Sequence, residues 1–512
     1  MNKKSKKRTN FRNANYSSLQ QHKKLGTNLV PPLNTIKGAT KTSWRDEVAP
    51  EMLWAFLLAA SLPREVYLDC FRQLCGWLRD NLSPSEETLS EADNNPDNNE
   101  RIAKNCYFEH TSLAELPDAR FKEFLEIILK YEGTDSALGM LHFLDTLPGL
   151  ARWNLVITKP DSVEWGKLAL AIVPALDHHS QISTDIRWLK VASKIVTGTV
   201  TFPLEMREQV EDMLMYPDQG NLAQVRPMIR SMELAFRRRP ADVWISEFWS
   251  EILIKTKCID VSKNNDEDIY KNIEISRNDI LAVRYSVANR FSEISSTSNV
   301  DARCDSAFGF VLYGLSILSE IAEPMLSKLI MGRVGLRSLA EVLITMSYLV
   351  KNNTDDAWNE YRNFGNGQAK LAFLKMEQNL GEAPKFVEQG TLFELANEDI
   401  WQEYVDVNTG HWKGKNLRQL AMDSETKDIY DRYYDWTSTF AHGHWCAIRD
   451  SNFTTCHNPL HRFHRIPRAM PRLLPTIVPD AIKLCNKCID LLEKLFPEME
   501  QVVRLSPAPL VD

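Results

Sequence analysis

The chain has 512 residues, which is too long for one ordinary hydrophobic core, so two or three packed units are expected. Its composition, with 44% hydrophobic and 25% charged residues, is that of a globular protein, and its net charge of -7 argues against a chain coated with nucleic acid. Only 20 glycines occur, and apolar residues recur mostly at three- and four-residue spacing, which favours helices over sheets. We therefore predict an all-α, multi-domain fold.

Cysteine usage and the lack of membrane signals predict a cytoplasmic protein. The nine cysteines are an odd number without framework spacing, which is typical of reduced thiols. The basic N-terminus is not followed by the apolar run of a signal peptide, and no apolar run reaches the ~18 residues that span a bilayer. We expect no membrane association, no cofactor and no bound metal.

The first hundred residues predict an arm, a helical hairpin and a linker. Residues 1–42 are polar and basic without hydrophobic periodicity, which predicts a disordered tail whose lysines could contact RNA, DNA or an acidic partner. Residues 43–82 predict two amphipathic helices, the second starting at Pro63, because the first turn of a helix does not need the N–H that proline lacks. Residues 83–101 are acidic and rich in asparagine, as is typical of a linker.

Residues 102–255 predict a helical domain. Its clearest helix follows Pro117, has apolar residues on one face and ends at Gly133, a typical C-cap glycine. A second helix is predicted to open with the capping residues of the stretch 183-STD-185. The remaining predicted segments are a polar linker at 256–275, a C-terminal helical bundle at 276–500 and a tail at 501–512.

The most basic ordered stretch lies between residues 226 and 240. Its arginines could approach phosphates. A solvated helix face is the favoured interpretation, because no aromatic side chains alternate with the arginines to stack on bases. The candidate nucleic-acid-binding residues are Arg226, Arg230, Arg237, Arg238 and Arg239.

The sequence lacks a Walker loop, a Rossmann glycine fingerprint, HExxH and GxSxG, which argues against ordinary nucleotide hydrolases, dehydrogenases and α/β-hydrolases. Its most distinctive stretch is 430-YDRYYDWTSTFAHGHWCAIRDSNFTTCHNPLHRFH-464, with five of the eleven histidines. Here Tyr434, Ser438 and His442 recur every four residues, so they share one face of a helix that ends at Gly443. This stripe either packs against a neighbouring helix, which is the favoured interpretation, or lines a functional pocket.

A second polar stripe lies on a helix that is otherwise dense in leucine, valine and isoleucine. Arg333, Arg337 and Glu341 follow one another at four-residue spacing. An exposed Arg337–Glu341 pair would contribute only about 0.3–0.5 kcal/mol. Because apolar residues flank the stripe, we expect a partly buried pair that needs further partners on a facing helix, and the tyrosine–serine–histidine stripe is the candidate.

These two stripes resemble the hallmark of a family of bacterial domains of unknown function. The hallmark pairs an Arg-Ser-x-x-Glu helix, here 337-RSLAE-341, with a Tyr-x-x-x-Ser-x-x-x-His-Gly helix, here 434-YDWTSTFAHG-443. The segment 358-WNEYRNFGNGQAK-370 adds to the resemblance, which spans roughly residues 276–500. Such domains are similar to HEPN helical bundles, many of which are RNases of toxin–antitoxin or phage-defence systems. The resemblance implies a shared polar cluster of Arg337, Glu341, Tyr434, Ser438 and His442.

The chain departs from the HEPN RNase pattern. Those enzymes carry an arginine followed, after four to six residues, by a histidine. Here nine residues separate Arg432 from His442, and seven separate Arg449 from His457. An RNase assignment therefore depends on fold analogy.

The expected function is that of a bacterial defence or toxin-type protein whose C-terminal bundle senses or cleaves RNA, with His442 as the acid–base group and Arg337 stabilising phosphate charge. The alternative is a non-enzymatic scaffold that docks a partner protein, and a homodimer is also compatible. A third interpretation is a zinc-dependent module using the histidines and cysteines of residues 442–464, which lack the paired spacing of convincing zinc sites. The CxxC pair, Cys485 and Cys488, is predicted to be two core thiols.

Overall fold

The computed structural model describes most of the chain, namely residues 22–26, 28–30, 43–82, 108–200, 202–235, 243–260, 275–294, 301–378, 384, 386–397 and 407–506. Within these residues nearly all regular structure is helical, and the strands are short. The predicted all-α class is therefore confirmed. The predicted linker at 83–101 lies outside the described residues, and so do most of the basic arm and of the polar linker at 256–275.

The chain forms two compact units. The first comprises residues 1–259 together with 457–463, and the second comprises residues 260–456 and 464–512. Each unit has its own hydrophobic core.

The first unit begins, among the described residues, with a small antiparallel hairpin of β1 (Lys23–Leu25) and β2 (Asn28–Val30) inside the predicted arm. Its helices are α1 (Ala49–Glu51), α2 (Leu53–Ser61), α3 (Arg64–Leu82), α4 (His110–Glu115), α5 (Asp118–Leu129), α6 (Thr134–Leu138), α7 (Leu150–Val156), α8 (Trp165–Leu176), α9 (Gln181–Val196), α10 (Arg207–Leu214), α11 (Leu222–Ala235) and α12 (Val243–Lys255).

The core of the first unit is built around α2, because this helix has no polar face. All its residues from Leu53 to Ala59 are buried, and the indole of Trp54 donates a hydrogen bond to the carbonyl oxygen of Phe108 at 2.8 Å. The helix ends at Ser61, and α3 starts directly after Pro63, as predicted.

The second unit contains α13 (Arg277–Glu293), α14 (Ala302–Ile321), α15 (Ile330–Asn352), α16 (Asp355–Gln378), α17 (Gln389–Ala396), α18 (Leu417–Asp423), α19 (Lys427–Ile429), α20 (Asp435–Ala441), α21 (Trp445–Asn452) and α22 (Val478–Leu495). A hairpin of β3 (Phe453–Thr455) and β4 (Arg465–Pro467) follows α21. A wide π-helical turn, Tyr430–Tyr434, separates α19 from α20.

Three long helices, α14, α15 and α22, pack against one another and hold the core of the second unit. Cys485 and Cys488 of α22 are both buried there, as predicted for core thiols. Among the described helices, α14 alone is long and apolar enough to cross a membrane, but half of its apolar window is buried, as also happens in the core helix of a globular protein.

Candidate functional site

The polar cluster of the second unit is centred on an ion pair within α15. The guanidinium of Arg337 contacts both carboxylate oxygens of Glu341, with Nη2–Oε1 at 3.0 Å and Nη1–Oε2 at 3.2 Å. The two side chains are one helical turn apart, and only 19% and 34% of their surfaces are exposed. The pair is therefore partly buried, as the flanking apolar residues predicted.

Tyr434 supplies the partner from a facing element. Arg337 Nη2 donates to the Tyr434 hydroxyl at 3.1 Å, and the guanidinium carbon lies 4.9 Å from the centre of the tyrosine ring. The hydroxyl in turn donates to Glu341. Tyr430 stacks on Tyr434 with ring centres 4.9 Å apart. The π-helical turn that carries both tyrosines packs against α15, and such turns recur at functional sites.

The carboxyl of Glu341 has a raised pKa because burial disfavours its charge. Arg337, His442 and the hydrogen bond from Tyr434 oppose that effect without cancelling it. His442 therefore lies close enough to Glu341 for their charges to interact. An acid whose pKa is raised beside a titratable imidazole is a combination that acid–base catalysis uses.

His442 lies at the C-terminus of α20 with its side chain exposed. Its N–H donates to the carbonyl oxygen of Ser438 at 3.1 Å, and Gly443 then takes the left-handed conformation that lets the chain leave the helix. Ser438 is half-buried, and within the described part of the chain its hydroxyl has no side-chain hydrogen bond that would activate it as a nucleophile. The cluster thus joins Arg337, Glu341 and Tyr434, with His442 at its exposed edge.

Arg333 shares the predicted stripe but not the cluster. Its guanidinium donates to the carbonyl oxygen of Ser327 at 2.8 Å and to that of Pro475. Only 7% of the residue is exposed. Its contacts fix the turn before α15 and the segment before α22, which is a structural role.

Two of the five predicted nucleic-acid-binding arginines lie within the described residues, in α11 of the first unit. Both are half-buried: Arg226 donates to the side-chain oxygen of Gln181, and Arg230 donates to the hydroxyl of Thr184 at 3.3 Å. Burial and the charge of Arg226 lower the pKa of Arg230. These side chains point partly onto α9, so the interpretation of a fully solvated face does not hold for them. Arg237, Arg238 and Arg239 lie outside the described residues.

Two pairs of side chains could contribute to metal binding. In the second unit, the sulfur of Cys456 and a ring nitrogen of His464 lie within 4.8 Å of each other. The backbone N–H of Cys456 donates a hydrogen bond to the carbonyl oxygen of His464 at 2.9 Å, which closes the loop between the two residues. In the first unit, the sulfur of Cys258 and a ring nitrogen of His461 also lie within 4.8 Å. Thiolate and imidazole are the usual ligands of zinc.

The remaining candidate zinc ligands belong to neither of these two pairs. His442, His444, Cys446 and His457 are all exposed, and the imidazole rings of His442 and His444 lie 5.8 Å apart, centre to centre. Cys258 was not predictable as a ligand from the sequence, because it stands alone in a polar segment and no local spacing links it to a histidine.

A family model described as "Family of unknown function (DUF5677)" matches residues 332–459. The match contains all five residues of the predicted polar cluster, so the cluster belongs to a domain of unknown function in the C-terminal half of the chain. That part of the predicted resemblance is confirmed, whereas the relation to HEPN bundles stays a prediction. Neither the search of curated proteins nor the search of solved structures found a match.

Proposed function

We propose that the second unit binds RNA and cleaves it at the cluster of Arg337, Glu341, Tyr434 and His442, and that the protein serves bacterial defence or acts as a toxin. The observation that supports this function is the half-buried Arg337–Glu341 pair, whose carboxyl has a raised pKa and which interacts with an exposed imidazole. Carboxyl groups whose pKa is shifted by burial and by charged neighbours cluster at functional sites.

The chemistry follows from the residue types. In RNA cleavage without a metal, a base removes the proton of a 2′-hydroxyl, and this oxygen attacks the neighbouring phosphorus. The 5′-oxygen then leaves with a proton from an acid, which yields a 2′,3′-cyclic phosphate and a 5′-hydroxyl. Glu341, a carboxylate in its ion pair with Arg337, is suited to the base and His442 to the acid. Arg337, held by Tyr434, would stabilise the charge on the phosphate oxygens, and Ser438 would line the site.

The first test compares wild type with His442→Ala and Arg337→Ala in bacteria, with and without phage, at matched soluble levels. Loss of toxicity or protection in both variants supports the proposal. His411→Ala is the matched control, because it removes another exposed histidine of the second unit. Unchanged activity in His442→Ala would exclude its catalytic role. Cleavage of purified RNA to cyclic phosphate ends would identify the reaction.

A non-enzymatic scaffold is the second candidate, since both terminal nitrogens of Arg337 are engaged within the fold. In that case Arg337→Ala leaves a half-buried carboxylate without its partner and lowers the melting temperature. The double variant Arg337→Met/Glu341→Leu separates the two functions. A scaffold would regain both stability and biological activity, whereas an enzyme would regain stability alone.

A zinc-dependent module is the third candidate, and the cysteine–histidine pairs favour it. Cys456 and His464 of the second unit offer a thiol and an imidazole, and Cys258 and His461 of the first unit offer another such pair, and both kinds of group are usual zinc ligands. Metal analysis of the purified protein should find at least one equivalent of zinc, and Cys456→Ser should lose the zinc that is held in the second unit. Cys446→Ser, which changes an exposed thiol of the same stretch, should keep it. Substoichiometric metal in the wild type would dismiss this function.

A further inference from the structure

The helix that follows His442 presents an aromatic and basic face to solvent. Ala447 and Ser451 are the buried residues of α21. Trp445, Ile448, Arg449 and Asn452 are exposed, and their spacing of three and four residues places them on one face. The exposed fractions of Trp445 and Ile448 are 61% and 40%. Large apolar side chains that are exposed next to a cation are typical of a binding surface.

The β3–β4 hairpin supports this face. The ring of Trp445 packs on Phe453 at the start of β3, with ring centres 5.9 Å apart. Arg465 pairs with Thr455 across the hairpin and donates to its hydroxyl at 2.6 Å. Arg468 donates to the carbonyl oxygen of Phe453 at 3.2 Å. The aromatic ring and the guanidinium groups are therefore held by regular secondary structure.

The charged side chains of this region are mostly positive. Residues 442–456 and 464–474 of the second unit contain four arginines and one acidic residue, Asp450, in a chain whose net charge is negative. Asp450 is paired with Arg472 at 2.7 Å. Arg449 and Arg465 lie close enough that burial and the charge of Arg449 lower the pKa of Arg465. Neighbouring like charges repel each other, and a polyanion bound between them relieves this repulsion.

We propose that the face of Trp445, Arg449 and Arg465 binds single-stranded RNA, with an unpaired base stacked on Trp445 and flanking phosphates on the two arginines. Stacking on an exposed indole requires a base that is not stacked within a duplex, which is why the occupant is single-stranded. This inference deepens the proposed function and rests on it for the choice of RNA. Because Trp445 follows His442 by three residues, a bound strand would run beside the candidate acid–base group.

The test measures the anisotropy of a fluorescent 12-nucleotide single-stranded RNA in the His442→Ala background, so that binding is separated from cleavage. Trp445→Ala should weaken binding by about tenfold, the usual effect of losing one stacked base. Arg449→Ala should also weaken binding, because it removes a phosphate contact. Tyr285→Ala and Arg277→Ala are matched controls, because both residues are exposed on α13 of the same unit, and both variants should bind normally. Circular dichroism checks that all four variants are folded.

Competition defines the ligand class. Duplex RNA should compete poorly with the labelled strand. Polyglutamate of equal charge should also compete poorly, because it offers no base to stack. Equal competition by either one, or unchanged binding in Trp445→Ala and Arg449→Ala, would overturn the proposal.

The proposed binding face and the proposed cleavage site can fail separately. If the wild type binds RNA through Trp445 but does not cleave it, the binding face is supported and the ribonuclease function is excluded. If Trp445→Ala still cleaves RNA with an unchanged KM, the cleavage site is supported and the binding face is excluded.

Discussion

At the scale of single residues, the first unit contains a carboxyl group that is protonated at unusually high pH. Glu51 is only 7% exposed and accepts hydrogen bonds from the N–H and the hydroxyl of Thr111 at 3.0 and 2.6 Å. Burial, and then the nearby carboxylate of Glu109, raises its pKa to about 7. The protonated carboxyl of Glu51 is favoured by the fold, so it contributes to stability. This contribution is fully present below the ordinary glutamate pKa and is lost as pH rises through about 7.

We therefore expect the first unit to lose about 2–3 kcal/mol of its free energy of unfolding between about pH 4.5 and about pH 7.5. Glu51→Gln cannot ionise, so its stability should change little over that range. Urea unfolding of the full chain at both pH values measures the difference. Glu47→Gln, in the turn just before α1, should behave like the wild type. A wild-type protein equally stable at both pH values would contradict the pKa of Glu51.

At the scale of helices, α15 depends on a glycine near its start. A Cβ atom at Gly332 would lie 2.6 Å from the carbonyl oxygen of Leu326 and 2.9 Å from that of Ser327. These are backbone atoms that cannot move aside cheaply. Gly309 in α14 is also inside a helix, but a Cβ there would meet open space.

The two glycines should therefore respond in opposite directions to alanine. Gly332→Ala should destabilise the second unit by about 1–3 kcal/mol, because the backbone must shift. Gly309→Ala should stabilise it by about 0.5–1 kcal/mol, because alanine has the better helix propensity. Thermal unfolding of both variants measures these two changes in stability. If both changes destabilised the unit equally, the close backbone approach at Gly332 would not be the cause.

Helical periodicity predicted the faces of α3, α5 and α15 because it depends only on neighbouring residues. Partners distant in sequence were not predictable. Arg333 has the same spacing as Arg337, yet it contacts the carbonyl oxygen of Pro475, 142 residues away. Likewise the N-cap of α9 is Ser180 rather than a residue of 183–185. Asp185 lies inside the helix, where Arg64, Tyr67 and Tyr216 satisfy its carboxylate.

The candidate site followed from sequence only in part. Arg337 and Glu341 are four residues apart, and such a local spacing places two side chains on one face of a helix. The apolar residues that flank them indicated that the pair is partly buried, and the regular spacing of Tyr434, Ser438 and His442 indicated the facing element. The face of α21 was missed, since a tryptophan at helical spacing usually lies in a core, and only the fold shows that Trp445 is exposed.

At the scale of the whole molecule, the first unit includes a segment from far along the chain. Leu460 is 1% exposed and belongs to the hydrophobic core of the first unit, although most of that core comes from residues before 253. Residues 457–463 are therefore part of that unit's packing. Truncation of the chain before this segment should weaken the first unit.

Two separate cores predict two unfolding transitions in calorimetry. Leu460→Ala removes a buried side chain, so it should lower the stability of the first unit by about 2–5 kcal/mol and shift only one transition. Leu473→Ala, which changes a partly exposed leucine of the second unit, should shift neither transition appreciably. If Leu460→Ala moved both transitions equally, the two cores would unfold as one cooperative unit, and no substitution could then be assigned to one core by its melting temperature alone.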